Sequence, residues 1–378
     1  MIWREGVVRR LGPAWPGATE LEVEVTGGAG VVPAGAVVRA LAYPDLVGEP
    51  VPGDRVLLSA GALARGLGTG GYAMVVALPD RLPADPAPGP GHLVKARYTP
   101  LQTLVLGADE QESEHHELLR DADDLAGLPV VVADLHSALP AVVAGVRAAW
   151  TATGVPRVVY VMTDGGALPA WFSRSLAGLR AAGWLAGSVT VGQAFGGDLE
   201  AVSLHSGLLA ARLVLAADVV VVAQGPGNLG TGTRWGFSGT VCGDAVNAVA
   251  TLGGRAVASL RVSGADARER HLGVSHHSLT AYGRVALAPA DVVVPRFDAG
   301  LVAALPEGLP ARIDDQVAGL VAPAGIHRLV EVPTDGLLRA LAGSPVRLST
   351  MGRGLDADPA AFVAAAVAGV HAARLAGG

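Results

Sequence analysis

Residues 18–25 alternate without a break. Leu21, Val23 and Val25 fall on one side and Glu20, Glu22 and Glu24 on the other, which is the period of a half-buried antiparallel strand. Gly35–Tyr43, Arg55–Ser59 and Tyr72–Leu78 are further short apolar runs, separated by turns such as Val51-Pro52-Gly53-Asp54. No helical stretch lies between them, so residues 1–92 are expected to form a small antiparallel β domain, a barrel or a sandwich. Prolines at 79, 83, 86, 88 and 90 make Pro79–Gly91 a linker by composition.

Past the linker the rhythm changes. Val-rich and Ala-rich runs at Leu128–Ala133, Arg157–Met162, Ser188–Val191, Asp218–Ala223, Arg255–Leu260 and Asp291–Val294 predict strands. Between them, Ala138–Trp150, Pro169–Ala182, Leu199–Ala216 and Thr240–Leu252 have helical composition. Continuous apolar strands alternating with helices predict a parallel sheet buried on both faces. The expected architecture is α/β: the β domain, then a mostly parallel sheet flanked by helices over residues 93–378. Ser137 and Asp198 stand where helix N-caps belong.

Composition narrows the function classes. The apolar runs from Val130 and Phe362 are broken by Asp134 and His136 and by His371, short of the roughly 20 residues of a membrane span. No apolar leader follows Met1 to Arg10, so a cytoplasmic protein without a membrane partner is expected. A net charge of −6 with no basic block gives no basis for nucleic-acid binding. The single cysteine, Cys242, excludes an internal disulfide, an all-cysteine zinc site and a thiolate-held iron–sulfur cluster within one chain. Lys95 is the sole lysine and no Walker loop surrounds it, which also leaves Schiff-base chemistry a single candidate.

Ligands of parallel sheets lie outside the carboxyl ends of the strands. The segments there are Asp134–Ser137, Thr163–Gly166, Gln193–Asp198, Gln224–Gly239 and Arg268–His277. Each can be read as turn chemistry, yet together they point to one cleft. Gly225-Pro226-Gly227-Asn228-Leu229-Gly230 has the glycine spacing of a dinucleotide loop, but Pro226 interrupts it and Arg261 stands where an acid would hold the ribose. A Gly/Thr loop over Gly225, Gly227, Gly230, Thr231, Gly232 and Thr233 is the more general reading, an anion cradle built of N–H and hydroxyl groups. His276 and His277 follow Arg268, Arg270 and His271, a density of positive and titratable groups suited to a metal, an acid–base pair or an anion clamp. Glu112 with His115 and His116 would share a helical face, most simply a solvated one. Gly236-Phe237-Ser238-Gly239 lacks the spacing of a nucleophile elbow, and Cys242 is read as packed.

Several strings are long enough to carry a resemblance. They are Gly66–Tyr72, Tyr98–Gln102, Glu114–Glu117, Tyr160–Pro169, Ala194–Asp198, Gly230–Thr233 with Gly236–Gly239, and Arg270–His277. On these the chain resembles the bacterial family of unknown function DUF3866, from the front domain to about Leu287. The resemblance implies no activity. The reading carried forward is an enzyme binding a small anionic or phosphorylated ligand at the carboxyl ends of the strands. Asp164 and Asp198 are its expected acidic pair, and His276 and His277 its acid–base or ligand groups. Gly165, Gly166, Gly196, Gly197, the Gly225–Thr233 loop and Arg270 are the expected ligand contacts. Metal, cofactor and homo-oligomer formation stay open, and the alternative is a non-catalytic ligand-sensing or assembly protein using the same cleft.

Overall fold

A computed structural model describes every residue except Thr69, Pro323, Ala324 and Gly378; Thr69, within the Gly66–Tyr72 string, therefore lies outside the described residues. The chain divides into two compact units. One comprises Met1–Pro90, Val94–Leu104 and Trp171–Ala177, the other Gly91–Leu93, Val105–Ala170 and Gly178–Gly378.

The first unit is a closed barrel of β1 (Trp3–Trp15), β2 (Ala18–Gly27), β3 (Val37–Ala42), β4 (Arg55–Ser59) and β5 (Ala73–Ala77), in the order β1-β2-β3-β5-β4. Neighbours run antiparallel except β3 and β5. The alternation of β2 is used as written: Leu21, Val23 and Val25 are buried, while Glu20, Glu22 and Glu24 pair outside with Arg39, Arg10 and Arg9. The long strand β1 escapes the sequence pattern because its register shifts three times against β2. A short ribbon follows, β6 (Leu93–Lys95) with β7 (Thr103–Val105).

The second unit is built on an eight-stranded sheet. Its strands are β8 (Pro129–Val132), β9 (Val158–Thr163), β10 (Gly187–Thr190), β11 (Leu199–Glu200), β12 (Val219–Gln224), β13 (Arg255–Ser259), β16 (Asp291–Arg296) and β17 (Arg328–Pro333), with a small antiparallel ribbon of β14 (Val262–Ser263) and β15 (Gly273–Val274) above it. The order is β11-β10-β9-β12-β8-β13-β16-β17, and every pair is parallel. One row of the register, Val189, Val161, Val222, Val132, Ala258 and Val292, is buried in the same core as Leu208, Val246 and Val249 from the helices Leu204–Leu213 and Val241–Thr251.

The winding fixes where a site can form. From β8 the chain moves outward to β9, β10 and β11, then returns to β12 and crosses β8 to reach β13, β16 and β17. Connections thus leave β8 and β13, which are neighbours, in opposite directions. Right-handed crossovers put those connections on opposite faces, which opens a crevice between the two carboxyl ends.

One expected helix changes, and neither expected N-cap forms. The helix read over Leu199–Ala216 is Leu204–Leu213, entered through Ser203 and Ser206, which cap each other's backbone N–H. Leu199–Glu200 is strand β11 instead, so Asp198 caps no helix. Ser137 is not a cap either; its Oγ donates to Thr350 Oγ1 at 3.1 Å.

The helix Pro359–Ala376 is long and apolar enough to cross a membrane, yet most of it is buried inside the molecule. It packs on the helix Leu139–Ala149. A Cβ on Gly145 would collide with the Ala366 carbonyl, and one on Gly369 with that of Val142. Glycine at both positions lets the two backbones touch. His371, the polar break in this helix, donates from Nε2 to Asp291 Oδ2 at 2.7 Å, and Arg328 donates to both oxygens of the same carboxylate. Burial pushes the Asp291 carboxyl up, but the bonds from His371 and Arg328 outweigh it and hold it below the usual carboxylate range.

Two outcomes follow. Gly145→Ala is expected to cost about 1–3 kcal/mol or more by overpacking, whereas Gly319→Ala, in a helix with open space around it, gains up to about 1 kcal/mol; denaturant unfolding of both variants checks this. For Asp291, a depressed folded-state pKa gives stability that is full above the unfolded value of about 3.9 and lost as pH falls below it. Asp291→Asn is expected to flatten that acid limb of the unfolding free energy against pH.

Candidate functional site

Asp134 follows the end of β8 and is 4% exposed. Its Oδ2 lies 3.1 Å from His277 Nδ1, and Arg261 Nη1 lies 3.5 Å from Oδ2 and 3.0 Å from the same ring nitrogen. Burial pushes the Asp134 carboxyl up, but Arg261 and His277 bring it below the ordinary value, so it stays ionised. The guanidinium can only donate and the carboxylate can only accept. His277 Nδ1 therefore either donates to Asp134 or accepts from Arg261, depending on its tautomer. The backbone carbonyl of Asp134 accepts from Gln224 Nε2 at 2.7 Å, and the same amide donates to Asn228 Oδ1. The ends of β8, β12 and β13 are in this way tied around one carboxylate.

Three histidines meet beside it. His271 closes a 3₁₀ turn, Glu269–His271, ahead of β15, and His276 opens the helix His276–Thr280. Ser275, fully buried, caps that helix by accepting from His277 N, and its Oγ lies 2.8 Å from His271 Nδ1. Phe237 lies flat on His277, with ring centroids 3.8 Å apart and 4° between planes. The imidazole centroids are 5.0 Å (His271–His276), 5.1 Å (His271–His277) and 4.5 Å (His276–His277) apart. Burial, then the neighbouring cations, pushes His271 down to about 3; burial, then His277, Arg270 and Arg261, pushes His276 down to about 4. Both rings are neutral near pH 7. A ligand nitrogen of each of the three lies within 4.8 Å of the others, and His276 Nε2 is buried without a hydrogen bond.

On the side of the Pro359 helix, the crevice between β8 and β13 is narrow, with a free volume of about 30 Å³, and is bordered by Asp134, Ser137, Arg261, Ser263, Asp266 and Arg353. Asp266 pairs with Arg268 and Arg353. Asp358, just before the helix, accepts from Ser263 Oγ at 2.5 Å and from Gly264 N at 2.9 Å. Asp134 and Arg261 belong to both regions, the crevice and the histidine cluster.

The expected residues divide. His276 and His277 come together, and they do so around Asp134, Arg261, His271 and Phe237, none of which stood in the expected catalytic set. The position of Asp134, the first acid after a fully apolar strand, is the signal that points to it. Asp164 and Asp198 do not pair. Asp164 is exposed and accepts from Gln193 N, past the last residue of β10. Asp198 accepts from Ser188 N and Oγ near the first residue of β10 and pairs with Arg180. From Ser188 to Gly192 is roughly 13 Å of strand. Asp198 also precedes β11, four strand spacings or roughly 19 Å from β8. Its carboxylate closes the β10–β11 edge instead of facing the histidines.

The glycines serve close approach between loops. A Cβ on Gly165 would sit 2.5 Å from Gln224 Oε1, and Gly166 and Gly225 would clash with Gly225 O and Ala167 O. The N–H groups of Gly196 and Gly197 bond Glu200 Oε1 and Thr190 Oγ1. The Gly225–Thr233 stretch is no open cradle. Gly230 pairs with Phe237, and the N–H groups of Gly225, Leu229 and Thr231 go to Thr163 O, Ser238 Oγ and Gly236 O. Gly227 and Gly232 take the positive φ of its turns. What remains open there is Arg270. It is exposed, its guanidinium lies over Gly232, and it has no carboxylate partner among the described residues.

Glu112, His115 and His116 share no helix face: His116 starts a single turn and its Nδ1 lies 2.8 Å from the Asp109 carbonyl, while Glu112 accepts from Gly91 N. Cys242 is buried, and burial raises its thiol well above the usual range.

A family model described as a protein of unknown function (DUF3866) matches residues 39–369, further toward the C-terminus than the motif strings reach. No curated protein and no solved structure matches the chain.

If Asp198 is a structural tie, Asp198→Ala leaves Ser188 N and Oγ without their acceptor and costs about 1–3 kcal/mol. Urea unfolding reads the loss, and ligand binding at the histidine cluster should be unchanged.

Proposed function

We propose that this chain, which belongs to the DUF3866 family, is an enzyme that takes a small anionic or phosphorylated ligand at the carboxyl ends of β8, β12 and β13. One observation carries the reading. Thr163 Oγ1, Gln224 Oε1, Asn228 Nδ2 and His276 Nε2 are all buried without a hydrogen bond, and all four belong to the carboxyl-end segments. Leaving such an atom unpaired costs about 1–3 kcal/mol, and sites that bind something are where that cost is tolerated. The crevice also falls where the chain reverses its winding, the place parallel sheets use for ligands.

The charges favour an anion. Asp266 and Asp358 engage Arg268 and Arg353, and Asp134 engages Arg261, which is 11% exposed at its side chain. Arg270 is left over, a planar donor suited to carboxylate or phosphate. His277, held by a buried carboxylate, is the acid–base or ligand group of this reading. The same reading puts the protein in the cytoplasm, where a lone thiol such as Cys242 stays reduced.

Thermal-shift measurements with inorganic phosphate, nucleotides and phosphorylated metabolites test it. At least one anion is expected to raise the unfolding temperature in a concentration-dependent way, and Arg270→Ala to weaken that ligand about tenfold or more. No stabilisation by any anion, or an effect indifferent to Arg270, would overturn the reading. Stabilisation with no conversion of the ligand would assign the site to sensing instead.

A further inference from the structure

We infer that His271, His276 and His277 form a three-nitrogen site for a divalent transition ion of the zinc type. The inference adds a cation to the site described above; it rests on that reading for its purpose and on ring geometry for its evidence.

Three facts about the rings carry it. Their ligand nitrogens lie within 4.8 Å of one another, and a tetrahedral Zn–N shell of 2.0–2.1 Å bonds needs about 3.3 Å between nitrogens. Small ring rotations cover that difference. The second fact is what holds the rings from behind. His271 Nδ1 meets Ser275 Oγ and His277 Nδ1 meets Asp134 Oδ2, the outer partners that fix the tautomer of a metal-binding imidazole and leave Nε2 as the ligand atom. The third is His276, whose Nε2 is buried with no partner.

A purely structural imidazole stack on Phe237 explains the packing but not these features. Leucine or phenylalanine would fill the same space without an unpaired buried nitrogen. A cation at His277 Nε2 also resolves the contest at Nδ1. It requires the proton on Nδ1 to point at Asp134, and Arg261 then belongs to the carboxylate alone. Neutral nitrogen donors with no thiolate select zinc, nickel or copper over magnesium or calcium. Three protein ligands leave a fourth position open, as in zinc centres that bind water or substrate.

Chelator-treated full-length protein titrated with Zn2+ by calorimetry is the test, with Co2+ as a spectroscopic probe. One equivalent should bind, and Co2+ should develop the visible absorption of a tetrahedral site that Zn2+ then abolishes. His271→Gln and His276→Gln should each weaken Zn2+ by more than 100-fold, Asp134→Asn by about 10–100-fold, and Asp198→Ala not at all. Absence of a stoichiometric Zn2+ site in the wild type, or affinity unchanged in folded His271→Gln and His276→Gln, would overturn the inference. Should those variants fail to fold, the wild-type Co2+ spectrum decides alone: an octahedral, water-like spectrum overturns it. Anion stabilisation surviving in metal-free protein separates the two outcomes, since it would leave the anion site standing while the metal site falls.

Discussion

The chemistry of the second unit is organised by the need to keep one charge inside it. Asp134 ends the central strand as an ionised carboxylate almost out of contact with water. An isolated charge at that depth is untenable, and it persists only with partners that are themselves fixed. Arg261 comes from the end of β13 and His277 from the start of a helix, while Gln224 reaches from β12 to hold the Asp134 backbone. Each partner is held in turn: Arg261 N donates to Ser278 Oγ, and His277 N to Ser275 Oγ. The residues brought together by this requirement are those with the chemistry to meet a ligand.

Much of the fold was legible because its central strands are continuous Val and Ala runs that only a doubly covered sheet can bury. The parts that were not legible have local reasons. Strand β17 lies at the sheet edge with Arg328, Leu329 and Glu331 exposed or partly so, leaving no clean period. Strand β11 has two residues, too few for any pattern, and the leucines after it read as an early helix start. The site was half legible. His276 and His277 stood out by the density of cations before them. Asp134 resembled a turn residue, and its role depends on Arg261 and His277, more than a hundred residues away.

The glycine strings teach a related lesson. They mark family membership well, yet at Gly165, Gly166 and Gly225 their physical reason is the near contact of two backbones at the ends of β9 and β12. That contact sets the loops on which Thr163, Gln224 and Asn228 stand. Glycine here shapes the loops from behind, whereas the cationic groups that border the crevice are Arg261 and Arg353.

The touching backbones at Gly145 and Gly369 bear on how the protein is made. The helix Leu139–Ala149 emerges early in synthesis, and its partner Pro359–Ala376 about 210 residues later, counting from 149 to 359. At 5–20 residues per second the wait is roughly 10–40 s. During that interval the strands β8, β13 and β16 lack the helix that covers them, and Phe362, which lines the crevice beside Asp134 and Arg261, has not been added. A nascent chain can pair its strands in order, but it holds an uncovered Val-rich surface and an open crevice until that helix arrives.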